Sequence, residues 1–342
     1  MRDYGQRQLL GQSRSAPFSL FSFGSYLKPL GVLFCIVAIL MFGYRGARWV
    51  FARSSAILSP IVYESESVDR PVAEVDVLSD SDGIDPALFL IEKEIDSVDD
   101  LISRIDGITD SKMGKYGWYV QSMVTGNYYG RNYDFVFTAA SVNKVPIVVS
   151  FLEEVEAGRA DLDSVYRLRS LDKEDGTGHL QYASPGTEFS YKELITFIGQ
   201  ESDNTSVNAI VNDVGKTTIQ SYIDVWQMSN TVLIGNKSSP QDMGNLFGLI
   251  YHDKILTSDL KDFFFDTLTG TEFEDRISAG VPNGIRVAHK IGNQIQVWND
   301  CGIVYAPRAY VLCIMTDGIR ESEAQVVLPE ISRLVWEWET RF

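Results

Sequence analysis

Ser141-Val142-Asn143-Lys144 sets a hydroxyl and an amine three residues apart, straight after a strand-like run and at the start of a helix-like one. A serine at a helix N-terminus projects its hydroxyl outward, and the free amides of the first turn favour an anion that develops there. A lysine three residues on lies one turn away on the same face. Held neutral by burial and a nearby cation, it can take the hydroxyl proton and make the serine a nucleophile. The spacing alone decides little: average composition produces it about once in a chain of this length, and a serine N-cap followed by a surface lysine has the same pattern. Ser202-Asp203-Asn204, 61 residues later, is rarer, at about one chain in twenty. Its hydroxyl can relay a proton to a leaving amine, and Asn204 can bind a substrate carbonyl or orient Lys144. The plainer reading is an Asx turn that caps the next helix. Lys290-Ile291-Gly292 offers a cation for a substrate carboxylate and a glycine that lets a substrate backbone approach a strand edge. By itself it reads better as an ordinary edge-strand lysine. The weight lies in the three motifs together, in this order.

The elements around them must bring the motifs into one place. Asp85-Pro86 is a good helix start, with an N-cap and a proline at the first position. Leu88, Ile91, Ile95, Val98, Ile102 and Ile105 follow at steps of three and four, an amphipathic stripe whose opposite face is acidic. Tyr116–Val124 and Tyr128–Phe137 are strand-like around Thr125-Gly126-Asn127, a hairpin signal. Helix-like segments follow at 141–157, 191–200, 205–213, 217–227 and 240–252, the last opened by the capping box Ser239-Pro240-Gln241-Asp242. Ile285–Ile291, Val297–Tyr305 and Tyr310–Thr316 are strand-like, and 321–341 is a closing helix. This order predicts an α+β fold: a five-stranded antiparallel sheet flanked by helices, with a helical block inserted between the second and third strands.

The N-terminal part is different. Pro29 to Tyr44 is a sixteen-residue run without charge. Lys28, Arg45 and Arg48 can snorkel at its ends, and Tyr26, Tyr44 and Trp49 suit the interfaces. We read 1–27 as a short tail, 28–50 as a transmembrane anchor, 51–84 as an acidic stalk and 85–342 as the main domain. A cleaved signal peptide is the main rival, although arginines follow at once and no small-x-small cleavage site is evident; a buried soluble helix is the third reading. Residues 1–53 hold seven basic residues and one acid, whereas 54–342 holds 23 basic and 45 acidic residues, a formal −22. Such a surface repels phosphate backbones, so nucleic acid is not an expected partner, and membrane contact falls to 28–50. Three cysteines make no disulfide framework. Cys301 and Cys313 lie on two strand-like runs and pair if adjacent, though two buried thiols is the favoured reading. His179, His252 and His289 are scattered, and no Cys/His spacing calls for a metal.

Residues from about 85 to 342 resemble the class A β-lactamase and penicillin-binding superfamily of serine hydrolases. The resemblance is carried by Ser141-x-x-Lys144, Ser202-Asp203-Asn204 and a variant of Lys-Thr-Gly at Lys290-Ile291-Gly292. Phe137 to Ala140, Pro185-Gly186-Thr187, Glu201, Ala288-His289 and Asn299 to Gly302 support it. It implies a mixed domain with an all-helical subdomain and acylation of Ser141 by a β-lactam or a D-alanyl cell-wall peptide, with no cofactor. It makes Lys144 the base, Ser202 the proton relay, Asn204 a substrate amide contact and Lys290 the carboxylate anchor, with Gly292 beside it. The oxyanion hole becomes two backbone amides, of Ser141 and of a residue near Gln294.

Two departures narrow the expectation. No glutamate lies between Asn204 and Pro240, where the family carries the residue that positions the deacylating water. Ile291 stands where a hydroxyl would help hold the substrate carboxylate. The sequence therefore points to a membrane-anchored serine hydrolase whose acyl-enzyme forms but has no evident base for its hydrolysis. The alternatives are a membrane-bound sensor of β-lactams or cell-wall peptides without turnover, and a degenerate domain kept for structure. The substrates place the domain outside the cytoplasmic membrane.

Overall fold

The computed structural model describes residues 94–341; the expected tail, membrane segment and stalk lie outside them. Among the described residues no helix is long and apolar enough to cross a membrane. Helix α1 (Val98–Thr109) starts where Ser97 accepts the amide of Asp100 at 3.1 Å. The expected start at Asp85-Pro86 lies outside the described residues, but 94–97 are not helical, so the long helix from 85 does not run through. A serine N-cap backed by Asp99 and Asp100 in the first turn sets the boundary instead. Ile95 is still buried, ahead of the helix, and Leu101 and Ile105 carry the stripe onward.

Strands β1 (Lys115–Ser122) and β2 (Tyr128–Arg131) form the expected hairpin. Gly126 turns it with φ 74°, its amide on the Ser122 carbonyl at 2.9 Å. β2 stops well short of Phe137. At Asn132 the chain takes φ 49° and the side-chain amide donates to the Tyr116 carbonyl at 2.8 Å. The chain thereby leaves the sheet. Its next piece, β3 (Phe137–Thr138), pairs with β6 (Lys237–Ser238) instead.

Between them runs the helical block: a 3₁₀ turn (Ala140–Asn143), α2 (Lys144–Glu156), the short pair β4 (Val165–Arg167) and β5 (Glu188–Ser190), α3 (Tyr191–Gln200), α4 (Asn204–Val214) and α5 (Lys216–Val225). After β6 come α6 (Pro240–Tyr251) and α7 (Ser258–Thr267), then β7 (Val287–Gln294), β8 (Val297–Val304), β9 (Tyr310–Asp317) and α8 (Glu321–Glu339). The five-stranded sheet has the order β2-β1-β9-β8-β7, antiparallel throughout. Helix α7 and the β4–β5 pair are not announced by the sequence pattern: α7 is short and buries only Phe264, Phe265 and Thr267, too few for a periodic stripe.

Strand alternation divides the core in two. Tyr119, Ala288, Cys301, Ile303, Val311 and Met315 face the helical block, where Phe151, Leu194, Ile210, Met243 and Phe247 cover them. Trp118, Val120, Val287, Leu312 and Ile314 point the other way, under α1 and α8. β9 is buried on both faces, as a central strand must be. Cys301 and Cys313 face each other in the β8–β9 register and form a disulfide. This overturns the reading of two separate thiols: one antiparallel register, invisible in the sequence, brings them together.

Candidate active site

The nucleophile motif folds as a tight turn. Ala140 to Asn143 is 3₁₀ and Lys144 is the first residue of α2. With three residues per turn, positions i and i+3 are in line, so Ser141 and Lys144 share a face more closely than an α-helix would allow. Two non-glycine residues take left-handed backbone here, Ala140 (φ 49°) and Ser202 (φ 57°), at a cost of about 1–2 kcal/mol each. Strain at these two residues, one just before Ser141 and one at Ser202 itself, is what a positioned site looks like.

The strand supports hold the turn from below. A Cβ on Gly292 would come 2.6 Å from the Ala139 carbonyl and 3.0 Å from Val142. Gly292 therefore lets β7 pack against the nucleophile turn; the close approach is the protein's own, where the sequence suggested a substrate backbone. Asn299 on β8 is fully buried. Its Nδ2 donates to the carbonyls of Thr138 (2.8 Å) and Ala139 (3.1 Å), and its Oδ1 accepts the Thr316 amide at 2.8 Å.

Lys144 is buried, and its Nζ donates to the Ser202 carbonyl, to Ser202 Oγ at 3.2 Å and to Asn204 Oδ1 at 2.6 Å. Burial lowers this amine to about 7, against the pull of the Asp203 carboxylate, which raises it. Burial does the work here; the cation–cation repulsion expected at Lys144 is felt by Lys290. A neutral amine has two hydrogens and one lone pair. Ser202 O and Asn204 Oδ1 absorb the hydrogens, which leaves the lone pair for a hydroxyl proton.

Both ends of the Asn204 amide are engaged within the protein: Oδ1 accepts from Lys144 Nζ, and Nδ2 donates to the Asp175 carbonyl at 2.9 Å. The capping reading of this motif is also true, one residue earlier: Asp203 caps α4 through the Ser206 amide (2.7 Å) and holds the Leu180 amide (2.9 Å). Thr177 reaches over it to the Ser202 carbonyl at 2.6 Å.

Ser141, Lys144, Asn204 and Gln294 line one cleft of about 270 Å³, together with Asn143, Leu233, Asn236 and Asn293. Its full lining contains no carboxylate. Ser202 reaches the cleft through Lys144. Lys290 lies on β7, an edge strand as expected, but it is buried (2% exposed) and outside the lining. Burial, and then the charge of Lys144, push its amine well below the ordinary range. Ile291 is buried beside it.

Arg276 was not legible in the sequence. It is 1% exposed, donates to the Asn299 carbonyl (2.7 Å) and to Asn293 Oδ1 (2.6 Å), and is close enough to depress Lys290 further. An arginine next to an aspartate carries no local signal; only the packing of the 271–278 segment on β7 and β8 brings it in. Asn236 and Asn293 carry no local signal for the same reason, whereas Asn143 lies inside the Ser141–Lys144 motif, whose spacing gives it no role. His179, Glu201 and Asp203 bring donor atoms within 4.8 Å of one another, a grouping absent from linear spacing, but His179 Nδ1 is already on Glu201 Oε2 at 2.6 Å and Asp203 on backbone amides.

The chain is similar to several known proteins. The chain is 20% identical over 273 residues to the β-lactamase VEB-1 of Pseudomonas aeruginosa, covering 70% of this chain and 90% of that one. Among solved structures, PBP-A superposes with a TM-score of 0.69 at 26% identity, over 73% of this chain and 99% of the other. A point mutant of PBP-A, solved as an acyl-enzyme complex with penicillin G, gives 0.68 at 26% identity over 73% and 100%. A β-lactamase from Sphaerobacter thermophilus shares the fold, with a TM-score of 0.66 at 22% identity over 71% and 97%. A family model described as the β-lactamase enzyme family spans residues 100–338, most of the domain just described, and the chain belongs to that family.

Proposed function

We propose that this protein is a membrane-anchored serine hydrolase that forms an acyl-enzyme at Ser141 with β-lactams or D-alanyl cell-wall peptides. The observation that carries the reading is the buried Lys144 amine, lowered to about 7 and held by Ser202 and Asn204 in the cleft that contains Ser141. Neutral Lys144 takes the Ser141 proton as the hydroxyl attacks the carbonyl. The proton then passes through Ser202, 3.2 Å away, to the leaving amine. Ser141 and Gln294 face the same cleft, as two amides of an oxyanion hole require. Arg276 gives that wall a positive potential for a substrate carboxylate, and a bound anion would favour the charged form of Lys290 that burial disfavours. The acyl-enzyme of the PBP-A mutant with penicillin G supports the substrate class.

Residues 28–50 are the proposed anchor, with the domain on the outer side of the membrane. The Cys301–Cys313 disulfide supports that side, because such bonds persist in oxidising compartments. A second reading is favoured by the carboxylate-free cleft: an acyl-enzyme that persists, and so a sensor of β-lactams or cell-wall peptides. The test is to incubate the full chain, in detergent, with a fluorescent penicillin, and to follow the label by gel and mass spectrometry. Label at Ser141, lost in Ser141→Ala, is expected. No label in the parent chain would sink the acylation reading, and label that never leaves would leave the sensor as the better description.

A further inference from the structure

The Lys173 amine is engaged by the chain itself. It donates to the carbonyls of Leu180 and Gln181, each at 2.6 Å, and to that of Ala183. An ammonium has three hydrogens and no acceptor, so these oxygens take all of them. The cage draws the two ends of the loop 173–183 together. A second staple lies inside it: Gln181 Nε2 donates to the carbonyls of Gly176 and Gly178, each at 2.7 Å.

The loop rests on the Ser202-Asp203-Asn204 motif and grips each of its residues. Thr177 Oγ1 donates to the Ser202 carbonyl at 2.6 Å, and the Leu180 amide to Asp203 Oδ2 at 2.9 Å. Asn204 gives its backbone amide to the Thr177 carbonyl at 3.1 Å and its Nδ2 to the Asp175 carbonyl at 2.9 Å. The contact is close: a Cβ on Gly176 would come 2.6 Å from Asn204 Nδ2, and one on Gly178 2.0 Å from Asp203 Oδ2. The Ser202 carbonyl and Asn204 Oδ1, the two oxygens that accept from Lys144, are thus both tied to this loop. Within 173–183 only Leu180 is buried, so apolar packing holds one point of the loop and the polar staples hold the rest. Without a cation, carbonyls turned toward one point are left short of donors.

We propose that Lys173 is a positioning residue: its caged ammonium closes the loop 173–183 over Ser202-Asp203-Asn204, and so holds the oxygens that place the Lys144 amine beside Ser141. The inference rests on the acylation proposed above and adds to it a residue that touches neither substrate nor nucleophile. Loss of the cage loosens Thr177 and Asp175, and water then reaches Lys144. Solvent favours the charged amine, so its pKa rises from about 7. The neutral form prevails above the pKa, and the base is then available only at higher pH.

The experiment uses the full chain in detergent. The pH dependence of Ser141 labelling by fluorescent penicillin is measured in the parent and in Lys173→Ala. The titration of Lys144 is followed separately, by competitive acetylation and mass spectrometry, which needs no penicillin. Lys173→Met keeps the length of the stem and serves if Lys173→Ala does not fold. In Lys173→Ala, labelling at neutral pH is expected to slow about tenfold or more, the effect of a misplaced catalytic group. Both midpoints are expected to move up by about one pH unit, as desolvation is relieved. Propylammonium, the fragment that the alanine variant lacks, is expected to restore most of the rate, and tetramethylammonium, which has no N–H, to restore none. Labelling and Lys144 midpoint both at parental values overturn the proposal. So does slower labelling with an unmoved Lys144 midpoint, which would mean general damage to the loop, or equal rescue by the two cations. A parent that never labels Ser141 removes the acylation reading; the hold of Lys173 on Lys144 is then upheld by a moved acetylation midpoint and overturned by an unmoved one.

Discussion

Lys144 sets the pH behaviour of the chemistry. Its burial disfavours the charged form, so at neutral pH a large share of the amine is free to accept a proton. In the proposed mechanism the neutral form is the base, and it prevails above the pKa. The rate of Ser141 labelling is therefore expected to rise with pH through about 7 and level off above it. Lys144→Met is expected to lower that rate by roughly 10²–10⁴, the usual contribution of a positioned base, with far-UV circular dichroism unchanged. A flat pH profile between 6 and 8 would remove Lys144 from the base role. At this scale the sequence is a fair guide. Ser141, Lys144, Ser202 and Asn204 are brought together, because each motif is local and each sits at an element terminus. Asn204 accepts from the Lys144 amine, and orienting that lysine is one of the two roles open to it. Lys290 reads as an ordinary edge-strand lysine and is a buried one on an edge strand, because strand alternation cannot tell which face is covered.

Elements fix where those residues point. β7 and β8 grip the nucleophile turn through Gly292 and Asn299. Gly292→Ala forces a methyl to 2.6 Å from the Ala139 carbonyl, and backbone must move. The expected outcome is a loss of about 1–3 kcal/mol in unfolding free energy by urea titration, the range for overpacking, with slower labelling of Ser141. Asn299→Ala removes a donor from the Thr138 and Ala139 carbonyls and the side-chain acceptor of the Thr316 amide, in a buried place; about 1–3 kcal/mol is expected from the same titration, the penalty for an orphaned buried group. Stability unchanged in both variants would mean that the turn is held by something else. The boundaries of α3, β8 and β9 are legible in the sequence to within a residue. That of β2 is not, because the run from Tyr128 to Phe137 is apolar and β-like throughout. Only the left-handed turn at Asn132 shows that its second half serves β6.

Across the whole molecule, charge buried between sheet and loop ties stability to pH. His289 is fully buried, which alone would lower its pKa, but Asp300 and Glu274 outweigh this and raise it to about 9. Glu274, in spite of its own burial, is lowered to about 2 by His289. The histidine contribution is complete below its unfolded value of 6.5 and fades as pH rises through about 9. The glutamate contribution is complete above 4.5 and fades as pH falls through about 2. The Tm of the parent is expected to fall between pH 7 and 9.5, and His289→Gln to flatten that slope. The β8–β9 disulfide closes a short loop, for which about 2–4 kcal/mol is typical. Non-reducing peptide mapping is expected to recover Cys301 linked to Cys313, and reduction to lower the Tm. Two free thiols in protein from an oxidising compartment would overturn the pairing.

Composition, motif order and the alternation of apolar residues determined the α+β class, the five antiparallel strands, the inserted helices and the two motifs around Ser141 and Ser202. These are short-range properties: capping, periodicity and spacing act within a few residues of each other, so they can be read in order along the chain. The tertiary structure alone decided that Lys290 is buried, that Arg276 lies behind the cleft, that Gly292 serves the nucleophile turn and that Cys301 meets Cys313. It also placed Asn143 and Asn236, two ordinary amides, in the lining of the cleft with the nucleophile. Each depends on which face of a strand is covered or on which distant segment packs there, and those are settled by the sum of the packing and not by any local pattern.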